Sequence, residues 1–408
     1  MASPRTIEDV VCPFCSLACD DLVIEAEGAS LRVARAGCSI AAREFAAVPG
    51  DGQPLVAGQP ATLDEATARA AEILAKARLP LYGGLGTDLA GMRAVLGLAE
   101  RTGGVVDHAG SGGLLANVRA TQDGGWVTTT LAEVRNRADL VLFVGTDAGT
   151  MAPRLVERCL LPRAGLFGPL ARELIYLGQG LEPAAGVGPV TVVDCPPARL
   201  ASVLAELRAC VAAPARSGGE LAEVAARLRR ARYPVVVWAA AQFPGGHADL
   251  LVGAIAGLLR ELNATGRCAG LPLAGPDNVV GANQVCAWQT GVPLRTSFAA
   301  GAPDHDPVRW NGAGLLASGM VDALLWLGSL RELPVPEVRP PTVALVRPNT
   351  VPVRPVEVLV PVGVPGLDHA GSLFRTDNVV AVPVRALRDT ALPAAAEVLG
   401  RIAARLDA

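Results

Sequence analysis

The stretch "ADLVLFVGTDAG", residues 138–149, decides the fold. Leu140 to Val144 is an unbroken run of apolar, mostly branched residues, stopped by Gly145. A strand with one wet face alternates apolar and polar residues; a run without alternation is covered on both faces, as in a parallel sheet between helices. The same grammar recurs outward in both directions. "LPLYGG", "VVDHAG", "PVTVVDCPPA", "YPVVVWAAAQ", "VDALLWLGS" and "PPTVALVRPNT" are short apolar strands, most of them next to a helical segment. Alternation of such strands with helices predicts an α/β fold with parallel sheets.

The clearest helix is "ATLDEATARAAEILAKARLP". Thr62 is its N-cap, Glu65 completes a capping box, and Ala66, Ala70, Ile73, Leu74 and Ala77 form one apolar stripe before Pro80 stops it. In open parallel sheets ligands collect at the carboxyl ends of the strands. Those ends are "YGGLGTD", "VGTDAGT" and "WLGS". Their glycines permit close backbone approach, and the helix N-termini that follow favour anions.

A chain of 408 residues predicts two or three domains. The expected division is a small Cys-rich β subdomain over 1–56, a discontinuous α/β domain over 57–190 plus 318–408, and a second α/β domain over 191–317. The β subdomain contains "DDLVIEAEG" and "SLRVAR", a hairpin turning near Gly28. Residues 212–220 read as a loop, and the Pro-rich stretch 330–341 as an exposed one. Hydrophobic residues make up 51% and aromatics 4%, so the core is built from Ala, Val and Leu. A formal charge of −3 leaves no footprint for nucleic acid. Lys76 is the only lysine, which leaves almost no candidate for Schiff-base or Walker-type chemistry. The opening "MASPRTIEDV" has no apolar signal region, and no apolar run is long enough to span a membrane. The expectation is a cytoplasmic chain.

Cys12, Cys15, Cys19 and Cys38 form C-x2-C-x3-C-x18-C. Close thiol spacing in such a chain favours metal or redox chemistry over a disulfide framework. Four thiols fit a [4Fe–4S] cluster or a structural zinc, or stand vacant in a retained loop. Three ligands crowded on one loop with a remote fourth favour the cluster. Asp20 and Asp21 are acceptors able to fix the loop. Cys159, Cys195, Cys210, Cys268 and Cys286 are isolated in apolar surroundings and read as buried structural thiols. "PDHDP", with Asp304, His305 and Asp306, reads as a solvated turn.

A Cys-rich knuckle before successive α/β units resembles the molybdopterin-dependent oxidoreductases. "TLAEVRNRADLVLFVGTDA" followed by "MAPR", then "GANQVCAWQTGVPLRTSFAAGAPDHDP" and "AGSLFRTDNVVAVPVR", together resemble the B subunit of formylmethanofuran dehydrogenase over about residues 10–390. The resemblance implies α/β units of molybdopterin-oxidoreductase type, with "PDHDP" in a loop of the second unit. In the dehydrogenase branch it implies a [4Fe–4S] cluster and a tungsten or molybdenum held by two pyranopterin guanine dinucleotides. In a second branch, the formyltransferase/hydrolase complex, it implies a B subunit without a redox centre. That complex moves a formyl group from tetrahydromethanopterin to a furan carrier and releases formate, with both active sites on other subunits.

The metal ligand separates the branches. The dehydrogenase pattern requires Cys or selenocysteine, then His, upstream of the "TLAEVRNRAD" stretch. Counted back from Thr130 without a gap, these positions fall on Gly113 and Leu114, in "HAGSGGLLANVRA". No cysteine lies between Cys38 and Cys159; His108 and Ser111 are reached only by a shifted alignment. Ser111 is the alternative ligand, because some molybdopterin enzymes use serine or aspartate. The His-rich segment of the family is thinned to "GTDAGTMAPR", where Arg154 remains. The expectation is a B subunit of the second branch, with the molybdenum or tungsten site lost and no catalytic residue of its own. Cys12, Cys15, Cys19 and Cys38 are its metal ligands. Its partners are the hydrolase A, C-type and formyltransferase D subunits, with a furan-type formyl carrier nearby. The active dehydrogenase subunit is the alternative.

Overall fold

Continuous apolar strands are the backbone of both halves of this molecule. The computed structural model describes residues 5–50, 52–179, 181, 186–214 and 218–407. They form two units. One contains the residues up to Ser111, Pro276–Arg375 and the residues from Val380 on; the other contains Gly112–Gly275 and Thr376–Val379.

The second unit is a parallel sheet in the order Val190–Val193, Glu173–Leu177, Leu140–Val144, Pro234–Trp238, Ala269–Pro272. Its central strand is the unbroken apolar run Leu140–Val144. Leu142 lies between Ile175 and Val236, and every residue of that strand is buried. Helices Leu200–Ala212, Glu220–Arg230 and Ala248–Asn263 bring Leu204, Leu228 and Ile255 to this core. Trp238 is fully buried, and its indole N–H donates to the Asn117 amide oxygen at 2.9 Å.

The first unit holds a mixed sheet whose centre is parallel: Val105–Val106, Pro80–Gly86, Ala323–Gly328, Thr342–Val346 and Val358–Pro361. Short antiparallel strands extend both edges: Thr296–Ser297 and Asp304–His305 on one side, Leu55–Val56 and Gln59–Pro60 on the other. The helix Leu63–Lys76 starts with the expected capping box: the Thr62 hydroxyl accepts from Glu65 N–H at 3.2 Å, and the Glu65 carboxylate accepts from Thr62 N–H at 2.7 Å. It packs with the C-terminal helix Ala395–Leu406, which also packs on Leu89–Thr102. Pro80 opens the next strand, the helix having ended at Lys76.

The N-terminal module is a three-stranded antiparallel sheet, Arg5–Val10, Leu22–Glu27 and Ser30–Arg35. The expected hairpin is its second half, and Gly28 takes the left-handed conformation at φ +58°.

The unit boundaries are cut elsewhere than the division expected at 56, 190 and 317. Residues on both sides of 190 share one sheet, since Leu140–Val144 separates Glu173–Leu177 from Pro234–Trp238. Residues 276–317 join the first unit, because Thr296–Ser297 pairs with Val105–Val106. The N-terminal module belongs to this unit as well. In the stretch 330–341, Leu330 is fully buried against Leu373 and Val384, and Val335 is 5% exposed, so only part of it is solvated. Of the loop expected over 212–220, residues 215–217 lie outside the described residues, and helices close on it from both sides. No helix among the described residues is long and apolar enough to cross a membrane.

Candidate functional site

The cysteine knuckle folds back on itself. Cys12 N–H donates to Cys19 carbonyl at 2.8 Å, and Ala18 N–H donates to Cys15 carbonyl at 3.2 Å. Ala18 sits at φ +46°, a left-handed position that turns the chain between the third thiol and the first two. Cys38 enters from the N-cap position of helix Ser39–Phe45, whose Phe45 meets Phe14 edge-on at 5.3 Å between ring centres. Cys12 and Cys19 are buried; Cys15 and Cys38 are half-buried. Burial pushes the Cys12 thiol well above its ordinary value, and the charges of Cys15, Cys19 and Cys38 push in the same direction. The four sulfurs are therefore electrostatic neighbours. Among the described residues no group of three or more His, Cys, Asp or Glu closes on one point that would hold a single ion.

Behind Cys15 stands Arg331, whose charge pulls the Cys15 thiol down against the larger effect of burial. Arg331 is locked to Asp277 by two hydrogen bonds of 3.0 and 2.8 Å. Asp277 and Asn278 both take left-handed backbone, at φ +60° and +56°. The Asp277 carbonyl meets His108 Nε2 at 3.0 Å, while His108 Nδ1 accepts from Gly110 N–H at 2.8 Å. An imidazole that accepts at Nδ1 donates at Nε2 and is neutral. Burial lowers the His108 pKa, in agreement. Both ring nitrogens are used by backbone groups, so His108 pins a turn and has no free nitrogen for a substrate.

Beside it, Asp107 Oδ2 accepts from Gly312 N–H at 2.8 Å and lies 3.4 Å from Arg295 Nε. Burial raises the Asp107 carboxyl above its ordinary range, against the pull of Arg295 and Ser111. Its Oδ1 is buried without a hydrogen-bond partner. Ser111, the alternative ligand, is 1% exposed, and its Oγ accepts from Arg295 at 3.4 Å. Sequence reasoning misses this ion pair. Asp107 is visible at the strand end "VVDHAG", whereas nothing local announces Arg295 or the pairing of Asp277 with Arg331.

In the other unit, Gly113 stands where the resemblance puts a metal-binding sulfur or selenium. A Cβ built on it would lie 2.7 Å from Ala241 nitrogen, 2.9 Å from Ala241 Cα and 2.8 Å from Ala241 Cβ. Two of these are backbone atoms, which cannot swing aside. The turn Ala240–Gln242 therefore fills the volume a ligating side chain would need. Arg154, 4% exposed, is closed locally on Glu157 through hydrogen bonds of 2.9 and 2.6 Å.

The strand ends also differ from the expectation of open anion sites. At "YGGLGTD", Asp88 caps helix Leu89–Thr102, its Oδ1 accepting from Gly91 N–H at 2.9 Å. At "VGTDAGT", Asp147 caps Ala148–Met151 and accepts from Thr150 N–H at 3.1 Å. Each carboxylate already occupies the helix end that a phosphate would use, and its charge repels a second anion. At "WLGS" no helix follows; Ser329 N–H and hydroxyl both donate to the Gly86 carbonyl.

Elsewhere, "PDHDP" belongs to the first unit, and two of its residues form a strand edge. Asp304 accepts from the Trp310 indole at 3.0 Å, and Asp306 accepts from Val308 and Arg309 N–H at 2.8 and 2.9 Å. The five isolated cysteines are all buried.

No family model matches the chain. The B subunit of the formyltransferase/hydrolase complex Fhc of Methylorubrum extorquens is 32% identical over 372 residues, which is 86% of this chain and 97% of that protein. The B subunit of the tungsten-containing formylmethanofuran dehydrogenase 2 of Methanocaldococcus jannaschii is 27% identical, with 92% of each chain covered. Among solved structures, a chain of the formyltransferase/hydrolase complex FhcABCD from Methylorubrum extorquens, crystallised with methylofuran, superposes with a TM-score of 0.76 at 33% identity, covering 87% of this chain and 98% of that one. The relationship to tungsten-containing subunits ties the chain to a metal–pterin lineage, and the α/β architecture agrees. By identity, coverage and fold, the chain belongs to the family of B subunits of the formyltransferase/hydrolase complex.

Proposed function

We propose that this chain is the B subunit of a cytoplasmic formyltransferase/hydrolase complex in tetrahydromethanopterin-linked one-carbon metabolism, where formyl groups end as formate, and that it holds no molybdenum or tungsten pterin centre. The observation that carries this reading is the contact of Gly113 with the Ala241 backbone. A group-6 metal in this lineage needs a ligating atom at that position. Here the space is taken by main chain, and the alternative ligand, the Ser111 hydroxyl, is bonded to Arg295. Asp88 and Asp147 at the helix ends add a second misfit, because dinucleotide phosphates bind where N–H groups are free. No redox step is assigned to this chain.

Its role is architectural: it docks the hydrolase A, C-type and formyltransferase D subunits and lies near the furan-type formyl carrier. Cys12, Cys15, Cys19 and Cys38 hold a [4Fe–4S] cluster that staples the N-terminal module. The backbone closure of the loop from Cys12 to Cys19, and the charges of Cys15, Cys19 and Cys38 acting on the Cys12 thiol, support this. Metal and cofactor analysis of the complex purified without air tests both statements. We expect about four iron atoms per chain and no molybdenum, tungsten or pterin. Stoichiometric pterin with a group-6 metal would turn the chain into an active dehydrogenase subunit. Zinc in place of iron would leave the scaffold reading standing and remove the cluster.

A further inference from the structure

The second unit carries a feature that neither the fold nor the metal lineage requires. A two-stranded hairpin, Ala164–Gly165 with Gly168–Pro169, presents Leu166 and Phe167 at its tip, 82% and 77% exposed. This apolar tip is held in place. Leu166 N–H donates to the Asn136 side-chain oxygen at 3.1 Å, and Asn136 Nδ2 donates in turn to Ala132 carbonyl at 2.8 Å. The Arg137 guanidinium lies 5.6 Å from the centre of the Phe167 ring and 4.9 Å from that of Tyr233. Two anchors on helix Leu131–Arg137 thus fix two large apolar side chains in water.

Beside the tip, Arg137, Arg232 and Arg267 line one pocket together with Phe167 and Tyr233. Arg137 is balanced by Glu133 at 3.2 Å. Asp139, 3.9 Å from Arg232, already accepts two backbone N–H groups, and the Arg232 side chain is 83% exposed. Arg267 has no ion pair or hydrogen bond among the described residues. The pocket therefore carries uncompensated positive charge in a chain whose formal net charge is −3.

We propose that this hairpin and its arginine pocket are a docking surface for an acidic segment of another protein in the complex. A carboxylate enters between Arg137, Arg232 and Arg267, and Leu166 and Phe167 bury against an apolar patch beside it. Aromatic and arginine side chains dominate the energetics of such surfaces, and a rigid tip loses little entropy on binding. A small free anion would use the pocket alone and would leave the apolar tip unexplained.

The inference rests on the reading that the chain assembles with other subunits. The test co-expresses the tagged full-length chain with the other subunits of its complex and measures composition by native mass spectrometry. Leu166→Asp with Phe167→Asp, and separately Arg267→Glu, should each weaken retention of one partner protein by at least about tenfold. The thermal unfolding of the isolated chain should be unchanged. Arg32→Glu, on the exposed face of the N-terminal sheet, should retain every partner. Full retention in both test variants would overturn this docking surface and leave the complex reading intact. Release of a second copy of this chain, with the other subunits kept, would overturn it too. A wild-type chain that purifies alone would overturn the complex reading itself and this surface with it.

Discussion

At the scale of single residues, what a side chain announces and what its surroundings allow follow different rules. Gly113 offers no side chain where the resemblance puts a metal ligand, and Ala241, far along the chain, leaves no room for a Cβ there. The first fact is legible in sequence; the second is a tertiary contact that no local pattern encodes. His108 is a second case. A lone histidine in a glycine-rich loop reads as a loop or packing residue rather than a catalyst, and both ring nitrogens are spent on backbone groups. This has a consequence for pH. Burial lowers the folded-state pKa of His108 below the value of about 6.5 expected in the unfolded chain. Below that pH the unfolded chain takes up a proton that the folded imidazole refuses, so folding loses stability as pH falls. The loss grows by up to about 1.4 kcal/mol per pH unit until the folded value is passed. His108→Gln cannot titrate and lacks this component. Denaturation by urea should show the variant less stable than the parent at pH 7, with the gap narrowing at pH 5. An equal gap at both values would mean that the imidazole is not held neutral.

At the scale of elements, legibility tracks how local the determinant is. The buried strands declared themselves through runs such as Leu140–Val144 and Pro234–Trp238, and the helix Leu63–Lys76 through its capping box. The pairing of Val105–Val106 with Thr296–Ser297 did not, because two-residue strands carry no period and their partner is remote. The burial of Leu330 and Val335 was hidden for a related reason: a proline-rich stretch looks solvated until something packs on it. The strand-end loops show how one residue can be legible and still be misread. An aspartate just before a helix is a standard N-cap, yet glycines beside it suggest a phosphate cradle. Asp88 decides between them by capping the helix itself. Asp88→Ala should then cost about 0.5–2 kcal/mol, as loss of a cap does. Asp88→Asn keeps the acceptor for Gly91 N–H and gives up only the charge at the helix end, about 0.3–1 kcal/mol. Thermal denaturation should rank the wild type above Asn and Asn above Ala. An Ala variant as stable as the parent would show that the carboxylate is there for another purpose.

At the scale of the whole molecule, the first unit gathers pieces from three parts of the chain, and its joints explain why the N-terminal module is no separate domain. Arg388 and Asp368 form an ion pair with side chains 2% and 1% exposed, the Arg388 Nε–Oδ1 distance being 2.6 Å. The same guanidinium donates to the carbonyls of Ala29 and Ala47 at 3.1 Å each, and the other Asp368 oxygen accepts from Val364 N–H at 2.7 Å. One buried charge pair thus ties the cysteine module to the chain that follows the last strand of the central sheet. A second pair, Arg347 with Glu44, repeats the device at 2.6 Å. A buried ion pair adds little net stability over a packed apolar substitute, but removing one member strands the other without compensation. Arg388→Met should therefore cost about 3–5 kcal/mol in urea denaturation, since Asp368 would stay buried alone and two carbonyls would lose their donor. Arg385→Met is the control. Arg385 is exposed and reaches the same module through the Glu8 carbonyl, so its loss should cost less than about 1 kcal/mol. If the two variants proved equally mild, the cysteine module would be held by its own packing, and the buried pair would be incidental to how this unit is joined.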